Sequence, residues 1–148
     1  MTFERERSGG YMTNWAARLF ARAIDQRLKA IGVSSGQLPV FFALAGGKAL
    51  SQKELARLAA IEQPTMASTL ARMERDGLIE RKPDPDDGRS SLVSLSATAR
   101  QRAGLVMQAI TEINAGALEA LTETERAAFL DSLAKVIAAL ERQLAGEQ

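Results

Sequence analysis

The feature that most narrows the fold lies at Gly77, where the hydrophobic period of the chain changes. Upstream, apolar residues recur every three or four positions, as on a helix; downstream they alternate, as on a strand. Ser51-Gln52-Lys53-Glu54 is a capping box, with Ser at the N-cap and Glu three positions on, each side chain answering a backbone N–H that the helix leaves unpaired. It opens a helix over 51–60 with Leu55, Leu58 and Ala59 inward. Ile61-Glu62 reads as a tight turn, and Pro64 suits the first turn of the next helix, where its missing N–H is not needed. That helix covers 63–76, with Met66, Leu70 and Met73 on one face and Gly77 as its stop. Residues 79–82 and 91–95 then read as two short strands around the turn-rich stretch 83–89, a β-hairpin with a long tip. Two helices, a tight turn and a hairpin make a winged helix-turn-helix over 34–95.

The flanks are helical. Residues 1–10 are polar and read as frayed. Met12, Trp15, Leu19, Phe20, Ile24, Leu28 and Ile31 give a helix over 11–31, closed by Gly32. Ser35 is placed to cap a second helix, with Pro39 in its first turn, Leu38, Phe41, Phe42 and Leu44 as its apolar side, and Gly46-Gly47 after it. Beyond the hairpin, Ser96 caps a helix with Val106, Ile110, Ile113, Ala117 and Leu121 on a stripe. A second capping box, Thr122 to Glu125, opens a final helix carrying Phe129, Leu133, Val136, Ile137, Leu140 and Leu144. That last stripe is too wide for one small domain to cover, which calls for a partner helix. The expected fold is mainly α with a small β-hairpin: one domain over 1–148, its winged helix-turn-helix embedded between N-terminal (11–31) and C-terminal (97–145) dimerisation helices of a homodimer.

Composition removes several chemistries. With no Cys and no His, zinc fingers, thiol redox switches and His-based triads or metal sites are excluded. No metal or cofactor is expected, and no constellation of nucleophile and base points to an enzyme. Asp84, Asp86 and Asp87 lack the rest of a calcium loop, since Gly88 and Leu95 stand where further ligands belong, so a solvated turn is expected. No apolar run approaches the ~18 residues that span a bilayer, and the charged N-terminus has no signal-like core. A soluble, cytoplasmic chain with no membrane partner follows as the expectation. Between residues 51 and 90 there are seven basic and eight acidic side chains, so a nucleic-acid surface requires the cations to be segregated onto one face.

With Met66, Leu70 and Met73 inward, Gln63, Thr65, Ser68, Thr69, Arg72 and Arg75 form the exposed arc of the second short helix. Such side chains reach base edges and phosphates, and a helix of this size fits the major groove. Ser51 and Gln52 complete the candidate set on that side. Three stretches make the resemblance specific: S-Q-K-E-L-A-R-L-A (51–59), P-T-M-A-S-T-L-A-R-M-E-R-D-G-L-I-E-R (64–81) and D-P-D-D-G-R-S-S-L-V-S-L-S (84–96). Residues 34–102 resemble the MarR family of prokaryotic transcriptional regulators, and the order and length of the flanking helices extend the likeness to almost everything after residue 10.

The resemblance implies a sequence-specific, double-stranded-DNA-binding regulator acting as a homodimer on a pseudo-palindromic operator, a repressor released by a ligand. It implies that Arg89 of the wing enters the minor groove, steadied by Asp87. It also implies a small-molecule pocket between the dimerisation and DNA-binding parts. Trp15, Phe20, Phe41 and Phe42 are the candidates to line it, with Arg18 and Arg22 to meet the charge of an aromatic or anionic effector. The chain departs from the family pattern in carrying Ser96 where many members have Thr, and Ser68 where many have a basic residue. The alternative reading is a winged-helix protein–protein interaction module that binds no DNA.

Overall fold

The computed structural model describes residues 2–146. They fall into two compact units, Met1–Thr111 and Glu112–Gln148.

In the first unit, a 3-10 turn at Arg5–Arg7 leads to Ser8, whose hydroxyl accepts from Tyr11 N–H and caps α1 (Gly9–Leu28). Within the stretch expected to fray, Arg5–Ser8 form a turn and a cap, and α1 begins two residues before the apolar period shows. Lys29–Ile31 tightens into a 3-10 turn, and Gly32 ends it in the left-handed conformation (φ 76°), which a side chain would oppose. The following turn, Ser35–Gln37, is capped by Ser34, whose N–H donates to Gln37 Oε1. Ser35, expected as the cap, is instead held by Asp25: its N–H and hydroxyl both donate to that carboxylate, at 2.6 and 3.1 Å. α2 is short (Leu38–Ala43), with Pro39 in its first turn.

α3 (Gln52–Ala59) carries the expected capping box, with Glu54 N–H donating to Ser51 Oγ and Ser51 N–H to Glu54 Oε2, both at 3.2 Å. Ala60 turns the chain at a φ of 53° into α4 (Gln63–Arg75). Gly77 (φ 73°) then releases the chain into β1 (Ile79–Asp84) and β2 (Asp87–Leu95), an antiparallel pair. At its base β2 is flanked on the other side too, because Leu50 and Val93 exchange two backbone hydrogen bonds. α5 (Ala97–Ala117) follows.

The core gathers the inward faces of these elements. Leu28, Val40, Leu44, Leu55, Met66, Leu70, Met73, Leu78, Val93 and Val106 are fully buried. The three α4 residues alone remove enough apolar surface to contribute roughly 1.5–3 kcal/mol each. Two expected core residues are outside it: Leu58 on α3 and Phe42 on α2 are each about half exposed. One helical turn places Leu55 and Leu58 about 60° apart round the axis, and a helix of eight residues has a narrow buried face that Leu55 and Ala56 fill.

In the second unit, the end of α5 passes through a turn to a second capping box. Thr122 N–H donates to Glu125 Oε1 and Glu125 N–H to Thr122 Oγ1, at 3.0 and 3.2 Å, opening α6 (Glu123–Gly146). No residue of α6 is buried. Phe129, Leu130, Val136, Ile137, Leu140 and Leu144 are exposed, so the apolar stripe read from the sequence is present and open to solvent.

Candidate nucleic-acid interface

α4 presents one face to the core and the other to solvent. Met66, Leu70 and Met73 anchor it, while Gln63, Thr65, Ser68, Arg72 and Arg75 are exposed. Thr69 departs from the expected arc. It is 7% exposed, and its hydroxyl donates to the Thr65 carbonyl at 3.0 Å. The reason is angular: Thr69 lies one position before Leu70 and four before Met73, which turns it toward the buried side of the helix. Ser68 donates to the Pro64 carbonyl at 3.2 Å, and Arg75 is ion-paired with Asp76 at 3.3 Å. Arg72 has no such partner among the described residues. Ser51 and Gln52, half-buried at the start of α3, stand at the other end of the helix-turn-helix.

The wing differs from its expected outline. Its strands run on through the turn-forming residues, and only Pro85 and Asp86 remain as the tip. The aspartates make this compatible with a ladder, because each accepts from a nearby N–H of its own loop: Asp84 from Asp86 at 2.9 Å and Asp87 from Arg89 at 3.0 Å. Pro83 is tolerated because β1 is an edge strand. Register is not uniform: Pro83 faces Ser91 while Asp84 faces Asp87, leaving Gly88, Arg89 and Ser90 as extra residues on β2. A bulge of this kind bends its strand and re-aims the side chain it carries, here Arg89. Asp87 therefore steadies Arg89 through the backbone. No ion pair involves the Arg89 guanidinium among the described residues, and it is exposed.

The base of the wing is fastened by Ser96. Its hydroxyl donates to the Gly77 carbonyl at 2.6 Å and accepts from Ala99 N–H at 3.1 Å, while its own N–H donates to the Leu78 carbonyl at 3.0 Å. One buried side chain thus caps α5 and joins it to the end of α4.

The six residues expected to line an effector pocket are not brought together. Phe41 and Phe42 border a cavity of about 400 Å³ between α2 and α5, with Leu44, Leu95, Val106 and Met107, and with Arg100 as its one charged group. Trp15, Arg18, Phe20 and Arg22 do not line it. Trp15 is about 140° round α1 from the buried Leu28. It stacks edge-on with Tyr11 (centroids 6.3 Å apart) beneath the Arg5 guanidinium at 4.5 Å, and Arg18 lies over the Tyr11 ring at 6.0 Å. Arg100 and Met107 were missed in the sequence, although their spacing (i, i+3, i+7 with Ala103) marks one face of a helix. Among the described residues no group of His, Cys, Asp or Glu could hold a metal ion, and no helix is long and apolar enough to cross a membrane.

This geometry can be set beside known proteins. A family model described as the MarR family matches residues 31–90. The chain is 30% identical over 92 residues to the uncharacterized HTH-type transcriptional regulator YwoH of Bacillus subtilis, covering 62% of this chain and 66%, just under two thirds, of that protein. It is also 30% identical over 111 residues to the HTH-type transcriptional regulator MT0903.1 of Mycobacterium tuberculosis, covering 75% of this chain and 78% of that one. A probable transcriptional regulator from Pseudomonas aeruginosa superposes with a TM-score of 0.83 at 29% identity, over 90% of this chain and 99% of its own. At lower identity, two further structures share the fold. A mutant MarR from E. coli, solved in complex with operator DNA, has a TM-score of 0.80 at 21% identity over 86% of this chain and 91% of its own. PcaV from Streptomyces coelicolor, solved with its natural ligand, has 0.82 at 24% over 95% and 99%. A two-helix head with a bulged wing, embedded between long helices and matched along most of its length by such regulators, places this chain in the MarR family.

Proposed function

We propose that the protein is a cytoplasmic, sequence-specific DNA-binding repressor that acts as a homodimer and has no enzymatic activity. The observation that carries this is the division of α4. Its core face is fully buried, so the helix is rigid, and its outer face offers Gln63, Thr65, Ser68 and Arg72 at the edge of the molecule. On this reading α4 lies in the major groove, with Thr65 and Ser68 reading base edges near its N-terminus and Arg72 and Arg75 meeting phosphate or guanine. Ser51 and Gln52 approach the backbone. Arg89, on the bulge fixed by Asp87, enters the adjoining minor groove, where width and potential are read.

The exposed stripe of α6 supports dimerisation through residues 11–31 and 97–145. Twofold symmetry then spaces two α4 helices about one DNA turn apart, ~34 Å, and calls for a pseudo-palindromic operator. The cavity at Phe41, Phe42 and Arg100 supports an aromatic, anionic effector, for which apolar walls and a single cation are the matching chemistry. Proteins of the same fold solved with operator DNA and with a natural ligand support a DNA-binding, ligand-responsive reading.

The test begins with selection of retained fragments from a randomised DNA pool, followed by titration of the selected operator at two salt concentrations. Arg89→Ala is expected to weaken binding to most sequences alike and to lower the salt slope by about one unit per head. Substitution at Thr65 or Ser68 is expected to change the preferred operator, at ~1–3 kcal/mol per lost base contact. Unchanged affinity and slope for Arg89→Ala would remove the wing from the interface.

A further inference from the structure

One contact joins α4 to the wing without serving the cap or the core. Glu74, in the last turn of α4, accepts a short hydrogen bond from Arg81 Nε on β1. Arg81 faces Val93 in the hairpin register, and Val93 is the residue whose backbone is bonded to Leu50. Arg81 therefore stands at the last level where the hairpin is held from its far side. Among the described residues, no hydrogen bond or ion pair ties residues 82–92 to any other element. The pair is the outermost polar tether between the helix proposed to read bases and the strand that leads to Arg89.

We infer that Glu74 and Arg81 are positioning residues for the wing: their ion pair sets the direction in which the hairpin leaves α4, and with it the offset between Thr65 and Ser68 on one side and Arg89 on the other. This rests on the reading of α4 and the wing as one DNA-contacting surface. A rigid offset matters because each contact is strong only when the others are made in register; a wing free to swing must be ordered on binding, which weakens the complex. The sign of the effect separates this role from simple electrostatics. Removing a negative charge from a DNA-facing helix strengthens attraction to phosphates, whereas removing a strut weakens the contribution of Arg89.

The experiment uses the full chain and the selected operator. Glu74→Gln is expected to weaken binding by about threefold, within the range of an exposed ion pair. In that background Arg89→Ala should cost less than it does in the wild type, because the contact is already impaired. The charge-reversed pair Glu74→Arg with Arg81→Glu keeps net charge and is expected to restore binding to within about twofold of wild type, which loss of charge alone cannot explain. A second readout needs no DNA: amide order parameters at Ser90 and Ser91 should fall in Glu74→Gln while those of α4 stay level. Tighter binding with an undiminished cost of Arg89→Ala overturns the inference, as does unchanged order at Ser90 and Ser91. A wild-type protein that retains no DNA refutes the proposed function instead, and the order parameters still decide the strut.

Discussion

Ser96→Ala tests how firmly the head is fastened to α5. The substitution removes one oxygen that does two jobs: it ends the hydrogen bond to the Gly77 carbonyl and leaves Ala99 N–H without its cap. The backbone bond from Ser96 N–H to Leu78 survives. Loss of an N-cap costs about 1 kcal/mol. The lost bond to the Gly77 carbonyl adds about 0.5–1 kcal/mol, the ordinary net worth of a hydrogen bond, because Gly77 is exposed and water can take the donor's place. The sum, roughly 1.5–2 kcal/mol, corresponds to a fall in Tm of about 5–7 °C for a chain of this size. Urea unfolding at fixed protein concentration checks it: the midpoint should move and the slope should not. Two controls apportion the loss. Ser96→Thr keeps donor and acceptor and should stay close to wild type. Ser96→Asp restores the cap acceptor but brings no proton for Gly77, and should recover only part. A loss below about 0.5 kcal/mol for Ser96→Ala would refute the reasoning.

Three further outcomes are expected. Glu125 has its carboxyl held below the ordinary glutamate range by the backbone hydrogen bond from Thr122, so the box is intact above the ordinary carboxylate pKa and is lost as pH falls through the lowered one; an NMR titration should show that lowered value, and Glu125→Gln should flatten the acid sensitivity of α6. Leu140→Glu, which puts a charge on the exposed α6 stripe, should shift the species seen by sedimentation at micromolar concentration from dimer to monomer and weaken operator binding at least tenfold; a stable dimer would place the interface elsewhere. Arg100→Met should abolish release of operator by benzoate, used as a simple aromatic carboxylate, while leaving operator affinity within about twofold; an unaltered response would move the effector away from the Phe41 cavity.

What was legible in the sequence was local. Both capping boxes and the glycine stops at Gly32 and Gly77 rest on interactions within a few residues, and each is found as read, as is the inward face of α4; α2, by contrast, ends at Ala43, before Gly46. What was not legible turned on the exact rotation, length and extent of each element. Thr69 is polar and reads as exposed, yet the helix rotation set by Leu70 and Met73 turns it inward. Phe42 and Leu58 read as core, yet α2 and α3 are too short to bury them. Turn formers at 83–89 concealed how far the two strands run, because the Asp side chains satisfy the loop and let pairing continue. Trp15 and Phe41 are both aromatic, but nothing in their spacing shows that α1 turns Trp15 away from α2.

The bridge between Leu50 and Val93 has a consequence for how the protein avoids aggregation. A two-stranded hairpin ordinarily offers two open edges to any passing strand. Here Leu50 occupies one side of β2 at its base, and the three extra residues at 88–90 skew that strand where the bridge no longer covers it. β1 carries Lys82, a cation that repels another copy of itself, and Pro83, a residue with no N–H to donate, while Arg81 is already held by Glu74. The wing can therefore stay extended and solvent-facing without recruiting the wing of a neighbouring molecule into a larger sheet.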